Sequence, residues 1–484
     1  MKKTKFFTIF CTFLLLFSAF STNLTSYAAY SPSFDLYSEG VYMVNLDTDI
    51  VVASKNPDKK LFPASTAKIM TCLVALENVK DFNAKVECPY YCFNEFTWDY
   101  SNEYYNPNFA GASNAAIEGG QENLTYQDCM YALMLRSGCE AANILAYNIS
   151  GSMEEFVDLM NKTAAKIGCQ NTHFTNAHGL FEEKNQTTAY DLYLITRYAI
   201  ENYPGFMKIC STYEYDMPAN DNNPDGYTIV NTNRMMKVDS EYYDMGVKGI
   251  KTGSISDYVL KRNGEWDEEN PIDGFCSLVT YCERDGYKYL LVTLQAPYYD
   301  EEGEGGYTHF EDHKRLYDWA YSKFELKQVI GKNQQVMKVG VEMAKNTDEV
   351  GIVTTEEYYT LIPNDLDSTA IQRITPTIEP FRAPVSKGVP VGELVLKLNG
   401  ETLTTIPLET ESDIALDSIA KYKDRLKTVL GSPGVIASVV ILAVTIIAFA
   451  ISKSVAKNIL ANSEDMQRRR KIRMAPQNKN IKRK

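Results

Sequence analysis

Ser65-Thr66-Ala67-Lys68 sets a hydroxyl and an amine three residues apart, just where Pro63-Ala64 opens a helical pattern. Residues so spaced share one helix face, about one turn from each other. A lysine there can take the serine proton if desolvation or nearby positive charge lowers its pKa, which turns the serine into a nucleophile for acyl transfer. The spacing alone is common by chance, but two further patches add to it. Ser137-Gly138-Cys139 follows a helical stretch that closes on Leu135-Arg136, and Lys251-Thr252-Gly253 stands where strand-like runs begin. A Lys-Thr-Gly strand offers an ammonium and a hydroxyl to a substrate carboxylate, and its glycine admits a close-lying backbone. Histidine chemistry has less to work with. There are only His173, His178, His309 and His313, and no Gly-x-Ser-x-Gly elbow accompanies any of them. His309 and His313 are four apart, yet His-Phe-Glu-Asp-His lacks the glutamate position of the zinc-protease motif, so a solvated helix start is expected there.

The elements that must carry these residues follow from hydrophobic period. Val41 to Ala53 reads as two β-rich runs broken by a polar turn. Ile69, Met70, Leu73, Val74 and Leu76 give the helix behind Ser65 its apolar face. Helices are expected over Leu124–Leu135, Ala141–Ile149, Met153–Ile167 and Asp191–Ile200, and an amphipathic one over His309–Phe324. Gly274–Tyr281 and Tyr287–Leu294 read as strands joined by the turn Glu283-Arg284-Asp285-Gly286. A hairpin, a helical middle and returning strands make an α+β domain on an antiparallel sheet. The aromatic stretch 81–120 reads as loops and short strands over that domain, and Ser256–Asp273 as an insertion beside the cleft. From 328 to 413 short β-rich runs separated by turns form a small all-β module.

Both ends point to a membrane. Residues 1–29 read as a signal peptide: Lys2, Lys3 and Lys5 precede the apolar run Phe6–Phe20, and Ser26-Tyr27-Ala28 supplies the small residues of a cleavage site. Ala415, Ile419, Tyr422 and Leu426 make 414–433 an amphipathic juxtamembrane segment. Residues 434–452 carry no charge and are long enough to span a bilayer, while 453–484 is basic. The positive-inside bias puts that tail in the cytoplasm and residues 30–433 outside. The two ends hold +3 over 1–29 and +9 over 453–484 of a chain whose net charge is −13, so the body between them carries −25. A body that acidic excludes the basic face expected of a nucleic-acid binder. Of ten cysteines, Cys11 leaves with the signal peptide; nine spread thinly over the rest are no disulfide framework, though a local Cys88–Cys92 bridge is open to an extracellular protein.

Pro63-Ala64-Ser65-Thr66-Ala67-Lys68-Ile69-Met70-Thr71, Arg136-Ser137-Gly138-Cys139-Glu140-Ala141-Ala142 and Val247-Lys248-Gly249-Ile250-Lys251-Thr252-Gly253 come in the order of the penicillin-recognising serine enzymes. Together with Asn176-Ala177-His178-Gly179-Leu180, Thr188-Ala189-Tyr190-Asp191-Leu192 and Ala383-Pro384-Val385-Ser386-Lys387-Gly388, they resemble the low-molecular-mass penicillin-binding proteins that act as D-alanyl-D-alanine carboxypeptidases. The resemblance covers about residues 35–415. It implies a β-lactamase/transpeptidase-like catalytic domain over 30–327, an antiparallel sheet with a helical subdomain, followed by the β module and one transmembrane helix. It further implies Ser65 as nucleophile, Lys68 as base and Ser137 as proton relay. The backbone N–H groups of Ser65 and Ser254 would form the oxyanion hole, and Lys251, Thr252 and Gly253 would hold substrate. Peptidoglycan stem peptides and β-lactams would be the partners, with no cofactor or metal. One departure stands out: Cys139 replaces the family's asparagine, and a thiol is a weak donor and acceptor. Asn143, one turn on, is near enough to reach toward the site but is expected to be a surface or local packing residue. Two other readings compete. Cys139 favours a catalytically weak or silent wall scaffold, and the shared motifs allow a class A-like β-lactamase, against which stand the β module, the anchor and the lack of a clear deacylating glutamate.

Overall fold

Strand β1 (Gly40–Asn45) turns Val41 and Met43 to one side and Tyr42 and Val44 to the other, as a period of two requires, and all four are buried. A strand buried on both faces must be covered on both. With β2 (Val51–Lys55), β3 (Val247–Ile255), β4 (Phe275–Arg284) and β5 (Tyr287–Pro297) it forms a five-stranded sheet in the order β2-β1-β5-β4-β3. Its pairings are antiparallel, with Val41 opposite Thr293 and Thr252 opposite Leu278. The turn between β4 and β5 puts Asp285 and Gly286 at φ 53° and 85°, the left-handed pair that a tight hairpin needs. This computed structural model describes residues 31–96, 112–255, 261–262, 265–266, 273–299, 303, 305, 307–366, 370–398 and 400–473. The expected signal peptide and most of the expected 256–273 insertion lie outside them, as do Trp98, Tyr100, Tyr104 and Tyr105 of the aromatic stretch.

One face of the sheet packs against helices α1 (Lys68–Asn78), α2 (Tyr126–Leu135), α3 (Cys139–Ser150), α4 (Met153–Ile167), α5 (Ala189–Asn202) and α6 (Pro204–Cys210). Residues Lys68 to Ala75 of α1 are all buried, so it is the central helix of this layer. The helix starts are fixed locally. Thr125 and Asp128 close a reciprocal capping box on α2, and Ser152 and Thr188 cap α4 and α5. Helix α6 lies outside the expected helices; it opens on Pro204, and proline at the first helical position costs nothing, since that N–H has no intrahelical partner.

Helix α7 (Thr308–Lys323) covers the other face, packing Phe310, Leu316, Tyr317 and Ala320 on Val41, Met43, Leu278 and Leu291. Here the expected solvated helix start is corrected: His309 is 3% and His313 0% exposed. Threonine hydroxyls from β4 and β5 bracket the His313 ring, Thr280 Oγ1 at 2.8 Å from Nδ1 and Thr293 Oγ1 at 2.9 Å from Nε2. A polar helix face thus became a buried one because the sheet offers matching hydroxyls. All nine described cysteines are free thiols, Cys88 and Cys92 among them.

Residues up to Lys327 together with Tyr359–Asp367 make one compact unit. The second unit holds Gln328–Tyr358 and Ser368 onward. Its six-stranded sheet runs Gln372–Ile374, Pro390–Leu398, Glu401–Thr410, Glu349–Thr354, Gln335–Glu342, Phe381–Arg382. Helix α8 (Ser418–Leu430) follows, then α9 (Pro433–Arg473), which is long and apolar enough to cross a membrane.

Candidate active site

The nucleophile candidate sits on a tight turn. Ala64–Ala67 is a single 3-10 turn that runs straight into α1, and Ala64 has φ 49°, a left-handed conformation a non-glycine residue adopts only under constraint. The constraint is visible in two glycines. A Cβ on Gly179, whose φ is 77°, would overlap the Ala64 carbonyl, and one on Gly253 would lie 3.0 Å from the Ser65 nitrogen. The loop that carries His178 and strand β3 therefore grip the turn from two sides.

Ser65 Oγ lies 3.0 Å from Lys68 Nζ, as the one-turn spacing predicts. Lys68 is fully buried, and its ammonium also donates to the His178 carbonyl and lies 3.4 Å from Cys139 Sγ. Burial pushes the Lys68 pKa down, while Cys139 and Glu140 pull the other way. A buried amine held off its charged form, within hydrogen-bond reach of a hydroxyl, is what a lysine base requires. Glu140 is buried too, and burial raises its pKa; its Oε1 accepts from the Ala115 N–H at 2.6 Å.

Ser137 occupies the corner between α2 and α3 at φ 63°. Its hydroxyl is buried and, among the described residues, has no hydrogen-bond partner. Thr252 Oγ1 on β3 lies 2.6 Å from Thr232 Oγ1. Ser65, Ser137, Thr252, Gly253 and Ser254 all line one cavity of about 570 Å³. Lys68 and Lys251 do not line it. Lys251 is 1% exposed, donates to the Thr252 carbonyl at 2.9 Å, and is lowered to about 7 by burial and by Lys68 nearby.

Sequence spacing missed three contributors. Arg234 lines the cavity with its guanidinium 4.1 Å from the centre of the Tyr307 ring, a cation the motifs do not announce. Thr232 sits beside it, tied through its backbone N–H to the Leu135 carbonyl. Glu95 closes a network behind the base. Its carboxylate is 3.3 Å from His178 Nε2 and accepts from Asn143 Nδ2, which also donates to the Cys92 carbonyl. Asn143 does serve local packing, 1% exposed and turned toward Glu95. Among the described residues no cluster of three or more His, Cys, Asp or Glu could hold a metal.

Comparison with known proteins bears on this arrangement. Residues 26–257 match the family described as D-alanyl-D-alanine carboxypeptidase, and residues 324–415 match penicillin-binding protein 5, C-terminal domain. The chain is 28% identical over 372 residues to D-alanyl-D-alanine carboxypeptidase DacF of Bacillus subtilis, covering 77% of this chain and 84% of that protein. It is 24% identical over 423 residues to DacA of Escherichia coli K12, with 86% and 92% covered. The fold is shared with penicillin-binding protein 5 from Haemophilus influenzae, TM-score 0.55 at 20% identity, over 79% of this chain and 99% of that one. With both domain matches in chain order and its serine, lysine and Lys-Thr-Gly patches around one cleft, the chain belongs to the low-molecular-mass penicillin-binding proteins, the D-alanyl-D-alanine carboxypeptidase family.

Proposed function

We propose that the protein is a serine D-alanyl-D-alanine carboxypeptidase that removes the terminal D-alanine from peptidoglycan stem pentapeptides. The observation that carries this is the dry Lys68 amine 3.0 Å from Ser65 Oγ, with that serine opening on the cleft. Ser65 Oγ attacks the carbonyl between the last two D-alanines while neutral Lys68 takes its proton. Backbone N–H groups of Ser65 and Ser254 receive the developing oxyanion, a contribution worth several kcal/mol of barrier. Ser137 passes the proton to the departing amine, D-alanine leaves, and an ester remains on Ser65. Water then gives its proton to Lys68 and attacks the ester; Lys68 returns that proton to the departing Ser65 Oγ, freeing the shortened peptide and restoring both groups. Thr252 and Arg234 hold the terminal carboxylate at the cavity wall; Lys251, behind Thr252, acts through its field and its bond to the Thr252 carbonyl. A β-lactam presents the same acyl group and is expected to stop at the Ser65 ester.

The membrane arrangement belongs to the same reading. Helix α9 supplies the span, and Lys453, Lys457 and Arg468–Arg470 beyond its apolar part favour a cytoplasmic tail with the catalytic unit outside. The test is release of D-alanine from a pentapeptide ending in D-Ala-D-Ala by the full-length protein in detergent. Release must disappear in Ser65→Ala; release that survives it sinks the assignment.

A further inference from the structure

Cys139 leaves the second motif without a side-chain amide, and its thiol cannot compensate from where it lies: it is 1% exposed and directed at Lys68. The cleft wall beside Ser137 is built by another segment. Ser113 and Asn114 both line the cavity with Ser65 and Ser137. They are exposed side chains on a backbone that is fixed in place. The Ser113 carbonyl accepts from the Cys139 N–H at 2.9 Å, and Ser113 Oγ donates to the Ser137 carbonyl at 2.7 Å. Next along the chain, the Ala115 N–H donates to Glu140 Oε1, and the Ala115 carbonyl accepts from Tyr227 at 2.8 Å. The Ala116 carbonyl accepts from Asn220 Nδ2 at 2.7 Å, and Ala116 itself sits at φ 58°. Five bonds to three other elements hold Asn114 in register with Ser137.

The orientation of the Asn114 amide follows from the one bond it makes among the described residues. Its Oδ1 accepts from the Ala116 N–H at 3.3 Å, a role an NH2 group cannot fill, so Nδ2 is the end left to project. The same cavity is lined by β3, an edge strand of the sheet, on whose outer side no further strand is paired among the described residues, so an extended peptide can lie along it. Such a peptide, with its scissile carbonyl at Ser65, turns the preceding carbonyl toward the far wall, because successive backbone groups alternate in direction.

We propose that Asn114 supplies the amide the second motif lacks, donating through Nδ2 to the peptide carbonyl on the acyl side of the scissile bond. This rests on the carboxypeptidase reading and adds a substrate-binding residue to it. Glu140 couples the two residues: its carboxylate clamps Ala115 beside the motif, so the segment bearing Asn114 is tied to the motif bearing Cys139.

The test compares kcat/KM for D-alanine release by the full-length wild type, Asn114→Ala, Cys139→Asn and the double variant, each with an unfolding midpoint as a check. Loss of one neutral hydrogen bond predicts a fall of roughly tenfold in Asn114→Ala. Cys139→Asn in that background should restore most of the loss. Asn114→Ala within twofold of wild type overturns the proposal and leaves the carboxypeptidase intact. A tenfold loss that Cys139→Asn does not relieve also overturns it, since Asn114 would then not stand in for the missing amide. An inert wild type overturns the enzymatic reading and the proposal with it.

Discussion

Replacing Gly253 with alanine would place a methyl carbon 3.0 Å from the Ser65 nitrogen, 3.1 Å from the Thr66 nitrogen and 3.2 Å from the Ala64 Cβ. These atoms belong to the turn that aims the nucleophile and offers the Ser65 N–H to the oxyanion. Relief needs β3 and the turn to part by a few tenths of an ångström, because neither neighbour is a flexible side-chain tip. Deleting one oxyanion donor typically costs 10²–10³ in rate, so displacing one should cost about 10- to 100-fold in acylation. Overpacking costs about 1–3 kcal/mol, and removing a strand glycine returns about 0.5–1, so the fold should lose about 1–2 kcal/mol and persist. The assay is the second-order rate of labelled-penicillin acylation, read beside a denaturant melt. Wild-type acylation in folded Gly253→Ala would refute the argument that strand and turn are matched to a residue without a side chain.

Two further outcomes follow from titration. In the proposed mechanism Lys68 acts as the neutral amine, and burial holds its pKa below the ordinary 10.5, so kcat/KM should rise with pH through a midpoint below that value. Glu140 favours the ammonium, so Glu140→Gln should move this acid limb to lower pH; a move to higher pH would contradict the assignment. His309 is depressed to about 3 by burial and by Arg234, against an ordinary 6.5. Between those values only the unfolded chain takes up the proton. Stability is therefore complete above 6.5 and is lost on the way down at about 1.4 kcal/mol per pH unit. His309→Asn should flatten the slope of unfolding free energy between pH 6 and 4 by that amount, and an unchanged slope would count against a buried neutral imidazole.

What the sequence made legible had local causes. Ser65 and Lys68 share a helical turn, so their 3.0 Å approach follows from spacing alone. Helices α2, α4 and α5 begin where Thr125, Ser152 and Thr188 cap them. The remainder depended on partners far along the chain. His313 reads as solvated until Thr280 and Thr293 arrive from the sheet, and the pair Glu95–His178 joins residues 83 positions apart. Lys251 was expected at the carboxylate, but its strand faces it inward, and Arg234 from another loop takes the cavity wall. Asn114 lies in a stretch that reads mainly as aromatic, and the hydrogen bonds of its neighbours Ser113 and Ala115 to Ser137, Cys139 and Glu140 show its place.

The central claim is that Ser65, activated by Lys68, cleaves a terminal D-alanine. Its most direct measurement follows free D-alanine from a D-Ala-D-Ala pentapeptide, with the full-length protein, Ser65→Ala and a substrate ending in L-alanine run side by side. The account predicts steady release by the wild type, none above background by Ser65→Ala, and none from the L-alanine peptide. Equal release by wild type and Ser65→Ala, or none from folded wild type, would contradict it.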